Sequence, residues 1–385
     1  MTLELFPCLD ADMINPEDAL EAALADLVLY RPAASAGLQQ QKRQAEGLWA
    51  KLPELAGRFE KQQTCIQGNA SFFVGMLTEM GLIEKANHAA REYMKKFGLS
   101  PPSVDMSIGG LMNQLVRKWS EEGALEREQC FGLALAALSE LVAVQKGDAG
   151  QAATVVIPGA GLSRLCWEVC MLGYHAVGVE AAMTMQLAGQ YVINSLLSHG
   201  RRATIYPYAA AGAGPCNVVK AADTSRAVHV PDSSAVERFA AVTEKCANHK
   251  NLTHPHALLR VTSGDFSAFS QQGSANADAV LTCFYIDASG DVVGTIESVR
   301  AALLPGGVWI NCGPLEYEGT GGGHALGRMR LCADELLTLI QRFGFELIEA
   351  RTDEDLVECA YTQDRLSMLQ HRFHCLYFVA RKAFT

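Results

Sequence analysis

The segment from Ala153 to Gly161 constrains this chain more than any other. A short apolar, β-branched run, Ala153–Ile157, leads straight into Pro158-Gly159-Ala160-Gly161, and a helical pattern follows from Leu162 to Met171. A strand that ends in glycines and opens a helix is the start of a parallel βαβ unit. Glycine permits the tight turn and leaves no Cβ between the backbone amides and a ligand. The second apolar run, Ala176–Val179, ends at Glu180, 21 residues beyond Gly159. A carboxylate there can accept hydrogen bonds from both ribose hydroxyls of a nucleoside. A dinucleotide fingerprint would place its third glycine where this chain has Arg164, so G-x-G-x-x-G is not met. The pyrophosphate of NAD uses the full set of glycines. S-adenosylmethionine carries no phosphate, and the incomplete set favours it.

The same grammar continues to the C-terminus. Further strands are expected at Leu258–Thr262, Ala279–Tyr285, Gly307–Asn311, Phe345–Glu349 and Leu376–Arg381, with helices at Met183–Leu197, Val292–Ala302 and Ala333–Phe343. That makes about seven strands, the last two without a helix between them, as in an antiparallel hairpin. Ser263-Gly264-Asp265-Phe266 follows the third strand, where Asp265 can bond an adenine amino group and Phe266 can pack against the base. The fourth strand runs through Cys283 towards Asp287, at the edge where an open parallel sheet presents its ligands. Residues 209–242 lack a clear pattern and read as a long excursion.

Before this half, residues 1–105 read as helical, with segments at Asp18–Tyr30, Ala36–Leu55, Gln62–Lys85 and Ala86–Phe97. Leu99-Ser100-Pro101-Pro102-Ser103 reads as a linker, and helices at Met106–Trp119 and Leu125–Val144 lead into the sheet. With 32 Lys+Arg against 42 Asp+Glu, the net charge of −10 disfavours nucleic acid or an anionic membrane as partner. No apolar run is long enough for a transmembrane helix, and the N-terminus lacks the pattern of a secretory signal. The 12 cysteines are scattered and show no C-x-x-C, so neither a disulfide framework nor a metal site is expected. A cytoplasmic setting, with the nucleus as a second compartment, fits these features.

Several motifs together resemble the carnosine N-methyltransferase family. They are Val156-Ile157-Pro158-Gly159-Ala160-Gly161-Leu162 with Arg164-Leu165 and Trp167-Glu168; Thr282-Cys283-Phe284 with Ile286-Asp287; Leu304-Pro305-Gly306-Gly307 with Trp309-Ile310-Asn311; and Gly313-Pro314-Leu315 with Tyr317. The resemblance spans roughly residues 105–382. It implies a class I methyltransferase (Rossmann-like) fold, a seven-stranded mostly parallel sheet with a helical N-terminal region at 1–105. The methyltransferase domain would cover 106–385, its first part, 106–150, forming helices that cover the cofactor. It also implies transfer of a methyl group from S-adenosylmethionine to an imidazole nitrogen of carnosine or a related histidine-containing small molecule, and a homodimer.

Residue by residue, the resemblance assigns Gln114, Arg117, Gly159, Gly161, Glu180, Asp265, Phe266 and Cys283 to the cofactor. Gln114 and Arg117 stand at i, i+3 on one helical face, and a guanidinium suits the cofactor carboxylate. Asp287 matches the carboxylate that contacts the acceptor imidazole, which makes it the catalytic candidate. Tyr317 lines the same pocket. The acceptor half departs from the family pattern. Glu318 stands where the family has His, and His324 in the run after Gly319–Gly323 is the candidate substitute. Tyr361 is retained, while His371 and Phe373 replace members of a tyrosine cluster. A peptide or protein histidine as acceptor, and a cofactor-binding but inactive scaffold, stand as alternatives.

Overall fold

The computed structural model describes residues 3–5, 16–98, 108–146, 151–209, 218–248, 253–272, 276–317, 329–361 and 364–384. Strands β1 (Leu3–Leu5), β2 (Thr154–Pro158), β3 (His175–Glu180), β4 (Leu259–Ser263), β5 (Ala277–Cys283), β6 (Leu303–Gly313), β7 (Phe345–Arg351), β8 (Val357–Ala360) and β9 (Arg372–Lys382) form one sheet. Its order is β1-β4-β3-β2-β5-β6-β9-β7, and β8 pairs with the first residues of β9. Strands β1 to β6 are mutually parallel, and β7, β8 and β6 all run antiparallel to β9. Without β1 and β8 this is a seven-stranded sheet whose spatial order is third, second, first, fourth, fifth, seventh, sixth. It is the class I methyltransferase architecture that the sequence predicts, with two added strands.

The strands read as continuous apolar runs because helices cover both faces. Alternate residues go to opposite sides. Val155 and Ile157 join the core on one face, and Val156 joins the core on the other. The second face is covered by α9 (Phe266–Gln271), α10 (Val292–Ala302) and α11 (Ala333–Arg342). The first face is covered by α4 (Ile108–Trp119), α5 (Ala124–Leu141), α6 (Arg164–Met171) and α7 (Met183–Tyr191). Its core runs without a break into α1 (Pro16–Ala45), α2 (Glu54–Glu79) and α3 (Ile83–Phe97), through residues such as Leu24, Leu27, Phe73 and Met76.

The N-terminal helices depart from the predicted segments. Residues 16–45 form one helix through Pro32, not two. Proline removes one backbone hydrogen bond and crowds the preceding turn, but the burial of Leu24, Leu27, Leu29 and Leu38 on both sides of it holds the axis together. The break predicted at Lys85–Ala86 falls instead at Met80–Leu82, where Gly81 has φ +71°. The linker at 99–103 lies outside the described residues. Within the excursion, Val228–Val230 pairs back with Ala203–Ile205 ahead of it, and α8 (Ser233–Asn248) follows. Asp232 starts α8, since its carboxylate accepts a hydrogen bond from the Ala235 amide at 2.9 Å. No helix among the described residues is long and apolar enough to cross a membrane.

Asp26, buried in α1, carries a pH dependence. Burial pushes its carboxyl up to about 7. The unfolded chain loses this proton near the ordinary carboxylate pKa, while the folded chain keeps it until about pH 7. Stability is therefore lost as pH rises through that window, at on the order of 1 kcal/mol per pH unit. Asp26→Asn removes the dependence. Urea titrations at pH 5 and pH 8 will show a wild-type loss that the variant lacks, and equal losses in both proteins would refute the assignment.

Candidate active site

The order of the sheet reverses at β2. The chain leaves β2 towards β3 and β4 on one side and returns to β5 and β6 on the other. A crevice opens outside the carboxyl ends of strands at such a point. Glu180 ends β3, and Gly159–Gly161, Asp265, Asp287 and Tyr317 follow strand ends on that edge.

Gly159 (φ +62°) and Gly161 (φ +54°) turn the chain after β2. A Cβ on Gly159 would lie 2.7 Å from Cδ2 of Tyr285, so only glycine fits. Glu180 ties this loop to the next turn. Its carboxylate accepts hydrogen bonds from the Gly161 amide at 2.6 Å and the Ala182 amide at 2.8 Å. Arg164, at the missing third-glycine position, is buried and committed to Asp232, Glu168 and the Lys118 carbonyl. It serves as a brace between α4, α6 and α8.

After β4, Asp265 is exposed and caps α9, accepting from the amides of Ser267 at 2.8 Å and Ala268 at 3.3 Å. Phe266 is 3% exposed and stands edge-on to Tyr285, with centroids 6.2 Å apart. Tyr285, not Phe266, is the aromatic ring against the glycine loop. Desolvation raises the Tyr285 hydroxyl well above its ordinary range, helped by the charges of Asp265 and Glu180, so it stays protonated. By sequence pattern alone Tyr285 belongs to the strand expected at Ala279–Tyr285. The strand stops at Cys283, and Phe284 turns the chain with φ +53°. Gly313 makes room for that turn, since a Cβ there would meet the Phe284 amide nitrogen at 2.9 Å.

The five residues after Thr282 then reach four parts of the site. The Cys283 thiol points to the Cys130 carbonyl of α5 at 3.9 Å, and burial pushes it up to about 12. The Phe284 ring stacks on Tyr361 at 5.2 Å and 19°, with Phe373 edge-on to both. Tyr285 faces the glycine loop. Asp287 accepts the Glu316 amide at 3.0 Å. Burial raises the Asp287 carboxyl, and backbone amides including that of Glu316 offset part of the rise. Tyr317 lies close enough for the Asp287 charge to raise its hydroxyl, which is raised mainly by burial; that hydroxyl donates to the Leu331 carbonyl at 3.1 Å. Asp291, not Asp287, caps α10.

Arg117 is 5% exposed, and its guanidinium carbon lies 3.5 Å from the centroid of Tyr361. Its Nε donates to both oxygens of Glu126 at 2.7 and 2.9 Å, and Nη2 lies 2.7 Å from Oε1. Burial opposes its charge, but Glu126 and Tyr361 hold its pKa above the ordinary range. The edge that the resemblance gives to a cofactor carboxylate is thus already engaged bidentately by Glu126. Gln114, half-buried, sits one turn earlier on the same face. Trp119 anchors this helix to the glycine loop by donating to the Leu162 carbonyl at 3.0 Å. His371 is exposed and contributes its carbonyl, which accepts the Tyr361 amide at 2.9 Å. Glu318, Gly319–Gly323 and His324 lie outside the described residues.

Arg226 joins the excursion to the segment that follows Tyr361. It pairs with Glu122 at 3.0 Å and Asp364 at 2.8 Å and stacks on Tyr208 at 4.3 Å.

A model of the family described as Carnosine N-methyltransferase matches residues 99–384 of this chain. The Carnosine N-methyltransferase of Mus musculus is 27% identical over 337 residues, covering 86% of this chain and 76% of the relative. The protein of the same name from Dictyostelium discoideum is 30% identical over 270 residues, covering 70% and 53%. The one from Schizosaccharomyces pombe is 25% identical over 386 residues, covering 94% and 95%.

Proposed function

The chain belongs to the carnosine N-methyltransferase family, and from that premise we propose how its crevice works. The protein is an S-adenosylmethionine-dependent N-methyltransferase that acts on an imidazole nitrogen of carnosine or a related histidine-containing small molecule. The observation that carries this reading is the path of Cys283–Asp287, which lays an aromatic wall, a glycine-loop contact and a half-buried carboxylate along one strand end.

The residues at the switch point fit the cofactor. The cradle at Gly159 excludes any Cβ, and the neighbouring Glu180 is held rigidly for a ribose diol. Asp265, Tyr285 and Phe266 border the side where the adenine would lie, and Gln114, Arg117 and Cys283 the methionine side. When bound, the cofactor supplies an electrophilic methyl group on a sulfonium. The chain's own task is positioning, since the leaving group is good. Asp287 accepts the N–H of one imidazole nitrogen, which fixes the tautomer and leaves the other nitrogen's lone pair free. Its negative charge then stabilises the cation that forms on the ring. The Glu316 amide holds this carboxylate in place, with Tyr317 beside it. Phe284, Tyr361 and Phe373 offer an aromatic wall for the acceptor, with His371 beside Tyr361.

This division leaves residues 1–105 as a helical region and 106–385 as the methyl-transferring domain, with 106–150 covering the cofactor. We place the protein in the cytoplasm, with the nucleus as a second compartment, as a homodimer that engages neither nucleic acid nor membrane.

The test is to incubate the protein with labelled S-adenosylmethionine and carnosine, homocarnosine, free histidine and histidine peptides. Label is expected on carnosine or homocarnosine. Label on none of them would overturn the reading, and label on long peptides alone would move the acceptor to protein histidine. A separate prediction concerns Glu180→Ala, which will weaken binding of S-adenosylhomocysteine by at least about 10-fold, as loss of hydrogen bonds to a charged group costs ~1.5–3 kcal/mol. Calorimetry returning the wild-type affinity would remove Glu180 from the ribose site.

A further inference from the structure

The fold brings together cysteines that the sequence scatters. Cys312 on β6 is in register with Tyr377 on β9, and Cys359 on β8 is in register with Phe373. Residues 373, 375 and 377 point to one face of β9, so Cys312, Cys359 and Cys375 share that face. Their sulfurs all lie within 4.8 Å of one another, and all three residues are fully buried. Helix α5 covers this face and adds Cys130, also fully buried, whose thiol lies beside that of Cys359 but outside the group of three that are mutually within 4.8 Å. The catalytic reading uses none of these four side chains.

Two chemistries suit such a cluster, and geometry separates them. Cys375 is diagonal to both Cys312 and Cys359 across its strand pairs. Diagonal residues stand ~7–8 Å apart, wider than the Cα spacing that a disulfide tolerates. A disulfide across either of those strand pairs is thereby disfavoured. A metal ion asks for less movement. Tetrahedral zinc bound by four sulfurs at ~2.3 Å sets those sulfurs about 3.8 Å apart.

We infer that Cys130, Cys312, Cys359 and Cys375 form a structural zinc site that rivets α5 to β6, β8 and β9. On binding, four thiols release four protons to solvent, and each thiolate donates one lone pair to Zn²⁺. The product carries two negative charges. Lys118 lies beside Cys130 and faces that charge, with Glu126 opposing it. The site also accounts for β8. That strand has four residues, of which only Cys359 is buried. Its other tie to α5 is the Ala360 amide on the Gln129 side chain at 2.8 Å. Tyr361 comes next, so the ion would fix the ring that stacks on Phe284. The inference stands whether or not the acceptor is carnosine.

The test uses the full chain from zinc-supplemented cells, purified with reductant and dialysed against a weak chelator. Elemental analysis is expected to find about one zinc per chain. Unfolding in a chromogenic chelator should release it. Cys312→Ser and Cys375→Ser should each bring zinc to background, while Cys246→Ser, on α8, should leave it unchanged. The measurement on the unaltered protein stands even if the cluster variants fail to fold. Folded protein without metal, also after refolding with Zn²⁺, would overturn the inference. So would a full equivalent of copper or iron in place of zinc.

Discussion

Replacing Asp287 with Asn will lower kcat by about 10²–10⁴-fold while leaving the affinity for S-adenosylhomocysteine unchanged. Asn has the same shape, and its Oδ1 can still accept the Glu316 amide that holds the side chain at 3.0 Å. What disappears is the negative charge. In a half-buried site that charge is poorly screened, so its effect on a developing imidazolium is larger than in water. Burial has already raised the Asp287 carboxyl, which makes the carboxylate a stronger acceptor. The wild-type rate should climb as the acceptor imidazole deprotonates near pH ~6.5 and then level off. The variant should keep that profile at a lower ceiling, because the nucleophile is unchanged. Single-turnover rates and cofactor titrations check both halves. Near-wild-type turnover would discard Asp287 as the orienting group, and a joint loss of turnover and cofactor affinity would assign it a structural role.

Glu126→Ala will destabilise the protein by about 3–5 kcal/mol, because it strands a buried guanidinium. Arg117 and Glu126 are each 5% exposed, and Glu126 also meets Lys118 at 3.5 Å. Removing the acid leaves Arg117 with the Tyr361 ring and no counter-ion. Replacing both members, Arg117→Met with Glu126→Leu, should restore much of the stability and still abolish cofactor binding. Urea unfolding of the single and double variants decides the matter. If the single variant unfolds at the wild-type midpoint, the pair contributes little.

The sheet was legible because its parallel strands are buried on both faces and so carry apolar runs such as Val155–Ile157 and Ala279–Leu281. Glycines after β2 and the acid that ends β3 marked the cofactor edge for the same local reason. Other features depend on distant partners. Strand β8 buries only one of its four residues and carries no periodic signal. Helix α8 was missed although Asp232-Ser233-Ser234 is a recognisable start signal. Tyr285 hid because a left-handed turn at Phe284 cannot be read from a phenylalanine. The engagement of Arg117 by Glu126 joins two helices and left no mark in spacing. The convergence of Cys312, Cys359 and Cys375 needs the register of three strands.

One greasy seam runs from Leu24 in the first helix through Met76 to Val155 and Val379 in the sheet. A fragment trimmed to the nucleotide-handling half would therefore bare a broad oily plane to solvent and clump instead of acting as a miniature catalyst. Heating the whole chain should give a single calorimetric peak, with the helices and the sheet melting in concert.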